Sequence, residues 1–234
     1  RNAIDQAGWR ALGDIFEGLA GDGSSRAVIL TGSGGHFSAG ADIGEFATTR
    51  HDAATTAVYE RDVLRAEAAL EHMPKPTLAA VSGYAMGGGC GLALCCDFRI
   101  ADRSARFGIP AARLGVVYAL EECRALLNAV GLANAKRILF TGEWIDADEA
   151  LRIGLVQELS ELDALRAALA FAQRMVENAP LSIQGAKLAL DSVASGQAAA
   201  AAVRELMLKA SESDDYAEGA RAFVAKRKPK FVGR

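Results

Sequence analysis

The spacing of apolar residues along the first part of the chain predicts helices that alternate with short buried strands. Side chains from Trp9 to Leu19 recur at helical spacing, and the β-rich segment that follows begins after a Gly-Asp-Gly-Ser-Ser turn. The predicted elements are a helix ending at Gly21, strand 26–31, helix 53–72, strand 77–82 and strand 98–101. Short strands that are apolar throughout are covered on both faces. The pattern therefore predicts an α/β layered fold.

Beyond Gly115 the pattern is mostly helical. The predicted helices are 119–129, 132–140, 146–153, 161–178, 180–195 and 198–225, and 155–159 is the one extended segment. Asp146, with Glu149 three residues later, resembles a capping box at the start of one of these helices. We expect two regions, a core over residues 1–175 and a helical C-terminal region over 176–234.

Residues 77–96 carry no charge and are long enough to cross a membrane on length alone. Five glycines interrupt this stretch, and Pro74 and Pro76 precede it. Glycine and proline at these spacings favour a buried strand, a tight turn and a buried helix. We therefore expect no membrane span here.

Composition and charge narrow the possible classes of protein. The 234 residues are 51% hydrophobic and 24% charged, which excludes disordered and collagen-like chains. The net charge of −3 gives no field that would attract nucleic acid or anionic lipid, so neither partner is expected. The four cysteines form no Cys-x-x-Cys pair, so we expect no metal site and no disulfide framework, and a cytoplasmic location.

Two glycine-rich loops, 31–42 and 82–91, each follow a predicted strand. Neither matches a dinucleotide fingerprint, a phosphate-binding P-loop or a nucleophile elbow. Glycine-rich turns between a strand and a helix expose backbone N–H groups, and a helix that begins near Gly87 directs its positive end toward the same place. The two loops either form an oxyanion hole or serve only tight turns and close helix packing.

Segments along the whole chain combine into one larger pattern. They are Phe-Ser-Ala-Gly-Ala-Asp-Ile at 37–43, Lys-Pro-Thr at 75–77, Ala-Val-Ser-Gly-Tyr-Ala-Met-Gly-Gly-Gly-Cys at 80–90, Thr-Gly at 141–142, Gly-Leu-Val at 154–156 and Ala-Phe-Val-Ala-Lys-Arg-Lys at 222–228. In this order they resemble the crotonase (enoyl-CoA hydratase/isomerase) superfamily. Residues 1–4 look like the family segment just after its first strand, so we expect that strand to be absent from this sequence.

The resemblance implies a crotonase fold of repeated β-β-α units with a helical C-terminal trimerisation region. It also implies acyl-CoA thioesters as substrates. Coenzyme A then enters as part of the substrate, and no separate cofactor or metal is expected. The implied assembly is a homotrimer or a dimer of trimers.

The resemblance also implies roles for particular residues. Carried over by position, the backbone N–H groups of Ala41 and Gly88 bind the thioester oxygen. The expected substrate-binding residues are Ala39, Asp42, Ile43 and Gly44 along the adenine and pantetheine channel, together with Ser38 and Gly87. Removal of an α-substituent from a thioester leaves an enolate, and two fixed donors stabilise its oxygen more than the ground-state carbonyl, each by about 3 kcal/mol.

The two glutamates that hold the attacking water in hydratases of this family are missing. Their positions are Gly91 and Ala111, and neither residue can transfer a proton. Because one positioned acid or base contributes about 10² to 10⁴ in rate, ordinary hydration is expected to be weak or absent. We also expect Gly91 and Ala111 to border the acyl chain and to give room to a bulky or branched one.

The segment Tyr-Ala-Leu-Glu-Glu at 118–122 replaces the family's glycine-rich turn, and Tyr118 is expected where that turn enters the pocket. It resembles the matching tyrosine of the methylmalonyl-CoA decarboxylase branch, although that branch often has histidine where this chain has Ala41. The hydroxyl is either a catalytic donor or the tip of a packed side chain. Glu121 and Glu122 are either relocated catalytic carboxylates or solvated acids of a first helical turn; other branches place an acid at what is Ala119 here.

Together these residues favour a lyase or decarboxylase of the family that works through an oxyanion-hole-stabilised enolate. Ala41, Gly88 and Tyr118 are the expected catalytic groups. The alternative is a non-catalytic acyl-CoA binding or scaffold subunit that has kept the oxyanion hole. Turnover separates the two, because both bind coenzyme A and only one consumes thioester.

Overall fold

The computed structural model describes residues 1–234. The strands are β1 (Ala3–Ile4), β2 (Val28–Thr31), β3 (Gly40–Ala41), β4 (Thr77–Val81), β5 (Tyr84–Met86), β6 (Phe98–Asp102), β7 (Arg106–Gly108), β8 (Ile145–Asp146) and β9 (Glu158–Ser160). The α-helices are α1 (Gln6–Gly21), α2 (Phe46–Thr49), α3 (Ala53–Glu71), α4 (Gly88–Cys95), α5 (Ala111–Leu114), α6 (Leu120–Thr141), α7 (Ala147–Arg152), α8 (Ala164–Val176), α9 (Pro180–Ser195), α10 (Ala200–Ser211) and α11 (Asp214–Val224). A short 3-10 helix, Ile43–Glu45, precedes α2.

The strands form three sheets. The largest is entirely parallel, in the order β2-β4-β6-β9, and parallel neighbours of this kind are joined by crossover connections. β1 and β3 form a parallel pair, and β5 lies parallel to β7, which is antiparallel to β8. The predicted α/β class is confirmed. A parallel bridge between Ser38 and Ala85 brings the first glycine-rich loop next to β5.

The largest sheet is covered on both faces, as its apolar strands require. All residues of β4 are buried. On one face, Ala164 and Ala168 of α8 pack in one cluster with Leu78 and Ile100. The other face contributes Val81 to the main hydrophobic core, which also contains the buried side chains of α4. The small side chains of α8 let that helix lie close to the sheet.

The structure refines several predicted boundaries. Gly131 (φ 74°) interrupts α6 with a kink where the pattern predicts a break between two helices. The single helix predicted over 198–225 is wrong. The chain breaks before Ser213, whose hydroxyl accepts a hydrogen bond from the Tyr216 amide and caps α11. The sequence pattern also missed β5 and β7, because strands of three residues are too short to show a periodicity.

The uncharged stretch 77–96 forms β4, β5 and α4, so the predicted strand and buried helix are confirmed, and the segment predicted as a turn contains the short strand β5. Every residue of α4 after Gly88 is buried. No helix of the structure has both the length and the apolar character that crossing a membrane requires.

Candidate active site

Two backbone amides come together where β3 meets the start of α4. A Cβ atom on Gly40 would stand 3.0 Å from the Gly88 nitrogen, and one on Gly88 would stand 3.9 Å from the Ala41 nitrogen. Gly40 has a φ of 83°, a conformation that residues with a side chain rarely adopt. The glycines of the two loops therefore allow the close approach of the two amides.

The two amides lie at the ends of hydrogen-bonded elements. Gly88 is the first residue of α4, so its N–H group has no partner within the helix. On either side of Ala41, the Ala39 amide donates to Arg1 O and the Asp42 amide donates to Ile4 O, each over 2.9 Å. These bonds fix the short strand that carries Ala41 beside the start of α4.

Ala41 and Gly88 line a partly open cavity of about 680 Å³, called the apolar cavity below. Its lining residues are Trp9, Ala39, Ala41, Ile43, Phe46, Arg50, Tyr59, Glu60, Val63, Gly87, Gly88, Pro110, Ala111, Leu114, Val116, Val117, Tyr118 and Glu122. Most of these side chains are hydrophobic. Hydrogen bonds from fixed donors stabilise developing charge more strongly in such a setting than in water. The cavity can therefore hold a carbonyl oxygen that gains charge.

Trp9 supports the Gly88 amide from behind. The indole is 1% exposed, and its Nε1 donates to the Tyr59 hydroxyl over 3.0 Å. A Cβ atom on Gly88 would lie 2.8 Å from Cζ2 of this ring, which is closer than packed side chains approach. Gly88 is therefore held between the indole and Ala41, where a larger residue fits only after a shift of the backbone or the ring.

Most of the predicted site residues line the apolar cavity, namely Ala39, Ala41, Ile43, Gly87, Gly88, Ala111 and Tyr118. Ser38 does not, because it is buried and donates its hydroxyl to Asn2 O over 2.7 Å. Asp42 and Gly44 lie in an exposed turn outside the cavity, where the Asp42 carboxylate accepts the Gly44 amide. Gly91 borders a second cavity, of about 830 Å³. The substrate-binding roles of these residues remain predictions.

Glu122 adds a carboxyl group to the apolar cavity. Its side chain lines the cavity and is half-buried, whereas Glu121 on the same helical turn is exposed. Its Oε2 accepts a hydrogen bond from the Ala119 amide over 2.8 Å at the start of α6. Burial raises the pKa of Glu122 to about 7. Of the two first-turn acids, only Glu122 therefore lies beside the candidate oxyanion hole.

Glu67 of α3 is a further carboxyl group, which the sequence analysis did not single out. Its side chain is 4% exposed, and Oε1 has no hydrogen-bond partner. Oε1 would lie 2.5 Å from a Cβ atom on Gly91, the position that the family resemblance assigns to one hydratase glutamate. Burial, with Glu122 close by, raises the pKa of Glu67 well above the ordinary glutamate value. The signal in the sequence is its place between Ala66 and Leu70, on the core-facing side of α3.

Tyr118 stands between the two cavities and lines both. Its ring is half-buried, and burial raises the pKa of the phenol well above its ordinary range. The hydroxyl therefore stays protonated at neutral pH and can donate a hydrogen bond. Glu122 also lines both cavities, whereas Glu67 lines only the second cavity.

Known proteins resemble this chain over its full length. The Enoyl-CoA hydratase/isomerase family model matches residues 1–234. The 2,3-dehydroadipyl-CoA hydratase of Escherichia coli K12 is 38% identical over 237 residues, which cover 100% of this chain and 91% of that protein. The short-chain-enoyl-CoA hydratase of Clostridium acetobutylicum is 35% identical over 232 residues, which cover 97% of this chain and 88% of that protein.

Solved structures show the same similarity. An enoyl-CoA hydratase/carnithine racemase from Magnetospirillum magneticum superposes with a TM-score of 0.92 at 36% identity, over 99% of this chain and 88% of that chain. The enoyl-CoA hydratase from Bacillus anthracis superposes with a TM-score of 0.87 at 30% identity, over 99% and 91%. Fold and sequence together define an enzyme that acts on acyl-CoA thioesters. The chain belongs to the enoyl-CoA hydratase/isomerase family of the crotonase superfamily, and the predicted crotonase fold is confirmed.

Proposed function

We propose that this enzyme is an acyl-CoA lyase that works through a thioester enolate. The observation that carries the proposal is the convergence of the Ala41 and Gly88 amides beside the apolar cavity. When a bond to the α-carbon breaks, its electron pair moves toward the thioester carbonyl and negative charge builds up on that oxygen. Two fixed donors stabilise the charged oxygen more than the neutral one, and each lowers the barrier by about 3 kcal/mol.

The reaction we propose is decarboxylation or a related cleavage at the α-carbon. Ala111 is buried in the wall of the apolar cavity, but neither it nor Gly91 has a carboxyl group that could activate water. Tyr118 supplies a neutral phenol, which can orient a carboxylate or deliver a proton. Addition of water is the competing reaction, and the names of relatives such as the 2,3-dehydroadipyl-CoA hydratase favour it.

Glu122 favours catalysis over a role in binding alone. Burial raises the pKa of its carboxyl group to about 7. Binding of an acyl chain alone requires no carboxyl group in the cavity. Such a group lowers folding stability at neutral pH, and groups of this kind are concentrated at active sites. The hydrogen bond from the Ala119 amide caps α6 but does not require a carboxyl group of raised pKa beside the apolar cavity, so a non-catalytic acyl-CoA binding or scaffold subunit is the second candidate.

A homotrimer or a dimer of trimers is the assembly we propose. Helices α9, α10 and α11 carry large apolar side chains that a single chain leaves 63% to 86% exposed. They include Leu190, Val193, Met207, Leu208 and Phe223. Apolar side chains exposed together in one region support an interface between protein chains.

A mass-spectrometric screen of acyl-CoA thioesters tests the proposed reaction. The panel contains methylmalonyl-CoA, crotonyl-CoA, acetyl-CoA and a branched acyl-CoA. The mass of each product is compared with that of its substrate to detect loss of CO₂ or gain of water. We expect cleavage of at least one thioester, and hydration of crotonyl-CoA at least about 10³-fold slower than in a two-glutamate hydratase. Rapid hydration of crotonyl-CoA would instead show that another group activates the water.

Binding is measured alongside turnover, because it separates the two candidate functions. A thioester at about 100 times its Kd adds roughly 2.7 kcal/mol to the stability of the folded protein, so the Tm should rise. A scaffold subunit would show the rise in Tm without any product. The absence of a rise with every thioester would contradict both functions.

A further inference from the structure

Two carboxyl groups from different helices meet beside Gly91. Glu67 Oε1 on α3 lies 2.5 Å from the point where a Cβ atom of Gly91 would stand, and Glu122 Oε1 on α6 lies 3.9 Å from it. A side chain at position 91 would take the space of the Glu67 carboxyl group. Glycine at 91 is therefore what lets the two carboxyl groups converge there.

Packing alone does not account for a glutamate at position 67. The side chain is 4% exposed, and Oε1 receives no hydrogen bond. A buried polar group without a partner lowers folding stability, and a buried unpaired charge lowers it further. A glutamate in this position therefore favours its protonated form and keeps a proton in the interior, beside Glu122.

The nearby arginines are engaged with other carboxylates. Arg50 pairs with Glu60 over 2.6 Å, and Arg124 pairs with Glu71 over 2.9 Å. The charged and titratable groups that face the two carboxyl groups are Arg50, Glu60, Glu71, His72, Cys90, Cys95, Tyr118, Glu121 and Arg124. Acidic groups outnumber cations in this set, and both arginines are already paired. The surroundings therefore favour retention of a proton by the two carboxyl groups.

We propose that Glu122 and Glu67 share one proton at neutral pH and act together as the acid and base that move a proton to and from the α-carbon of the thioester. Glu122 lines the apolar cavity and is the catalytic residue. Glu67 lines only the second cavity and is a positioning residue that acts through Glu122. The catalytic part of this inference rests on the proposed function, because it needs a thioester enolate to receive the proton.

The proposed proton transfer takes place between the α-carbon and Glu122, and water later restores the proton on Glu122. The Glu122 carboxylate removes a proton from the α-carbon, the C–H electron pair becomes the carbon–carbon double bond of the enolate, and the carbonyl π electrons move onto the oxygen. In the reverse step the carbonyl re-forms and the α-carbon takes a proton from the Glu122 carboxyl group. After loss of CO₂ only the reverse step is needed. Exchange with water through Glu67 and the second cavity restores the proton on Glu122.

Exchange of the α-hydrogens of butyryl-CoA in D₂O, followed by proton NMR, tests the role of Glu122. Glu122→Gln should slow exchange by about 10²-fold or more with little change in butyryl-CoA affinity, because the amide oxygen can still accept the Ala119 hydrogen bond. Glu121→Gln, an exposed change on the same helical turn, is the matched control and should exchange like the wild type. Exchange by the wild type that Glu122→Gln leaves unchanged would overturn the role of Glu122 and leave the enolate function intact.

The pH profile of the same exchange tests the role of Glu67. Only the singly protonated pair is active, so the wild type should show a bell-shaped profile. Glu67→Gln should keep the acid limb, which reports ionisation of Glu122, and lose the alkaline limb. A merely structural role for Glu67 would lower the rate at every pH without changing the shape, and that result would overturn the shared proton.

Infrared spectroscopy of the protein without substrate tests whether the two carboxyl groups share a proton. A protonated carboxyl group has a C=O band of its own. At pH 7 Glu67→Gln should weaken that band, Glu122→Gln should shift its frequency because the shared partner is lost, and Glu121→Gln should do neither. A band that Glu67→Gln does not weaken, or that Glu122→Gln does not shift, would overturn the inference even in an enzyme that consumes thioesters. The expected bands in a protein that neither exchanges nor consumes any thioester would confirm the shared proton and overturn both its catalytic use and the proposed function.

Discussion

The carboxyl group of Glu67 occupies the place where a side chain on Gly91 would begin. Glu67 Oε1 lies 2.5 Å from that Cβ position, closer than non-bonded atoms pack. The two residues belong to different helices, α3 and α4, so the residue type at one position limits the residue type at the other. In this packing a side chain at 91 fits only if the Glu67 carboxyl group moves.

Gly91→Ala should destabilise the protein in a way that depends on Glu67. The new Cβ atom meets the Glu67 carboxyl group, so the end of that side chain must move into the second cavity, and we expect a loss on the order of 1 kcal/mol. In a Glu67→Ala background the loss should shrink by at least about 0.5 kcal/mol. Denaturant unfolding of the wild type, both single variants and the double variant measures this coupling. Strictly additive effects would contradict the close contact.

Tyr118→Phe should lower kcat and kcat/KM together, by about 10-fold to 100-fold. The hydroxyl is expected to contact the departing or arriving group in the transition state, and the amides of Ala41 and Gly88 do not depend on it. Affinity for the thioester should therefore change little. Steady-state kinetics with a thioester from the screen, together with a binding titration, separate the two effects. A variant that matches the parent in turnover would show that Tyr118 only packs.

Gly88→Ala should reduce turnover more than it reduces folding stability. The added Cβ atom would lie 2.8 Å from Cζ2 of Trp9, so the amide at 88 must shift away from its present position. Loss of one fixed donor to the thioester oxygen lowers kcat by about 10² to 10³. Trp9→Phe in the same protein removes the crowded ring atoms and should restore part of kcat. Equal turnover in Gly88→Ala and the wild type would mean that the amide at 88 does not bind the reacting oxygen.

Glu122→Gln should flatten the pH dependence of folding stability between pH 4.5 and about 7. Burial raises the pKa of Glu122 from 4.5 to about 7, so the folded state holds this proton more tightly than the unfolded chain does. Tighter binding of this proton in the folded state adds about 3 kcal/mol to the free energy of unfolding. This contribution is fully present below pH 4.5 and is lost as the pH rises through 7. Denaturant unfolding on both sides of this window, at one protein concentration, measures the difference. The same pH dependence in both proteins would contradict the raised pKa.

The sequence predicts where the two candidate amides lie better than where the buried carboxyl groups lie. The family resemblance assigns Ala41 and Gly88, and the conformation of the glycine-rich turns that carry them depends on the residues of the turn itself. The position of Glu67 depends on how α3 packs against α4 and α6, which residue spacing does not reveal. Within 53–72 the glutamate looks like one of many charged residues, and only the fold turns it toward the interior. The two first-turn acids, Glu121 and Glu122, are equivalent in sequence and differ only in burial.

Helix α3 contacts both the region of the Gly88 amide and the region of the Glu122 carboxyl group. Near its start, the Tyr59 hydroxyl holds the Trp9 indole that supports Gly88, and farther along the same helix Glu67 reaches the neighbourhood of Glu122. Because one helix carries both contacts, a tilt of α3 would move them together. The amide proposed to stabilise the charge and the carboxyl group proposed to handle the proton are therefore aligned by the same helix, and a change in its tilt would displace both relative to a bound acyl group.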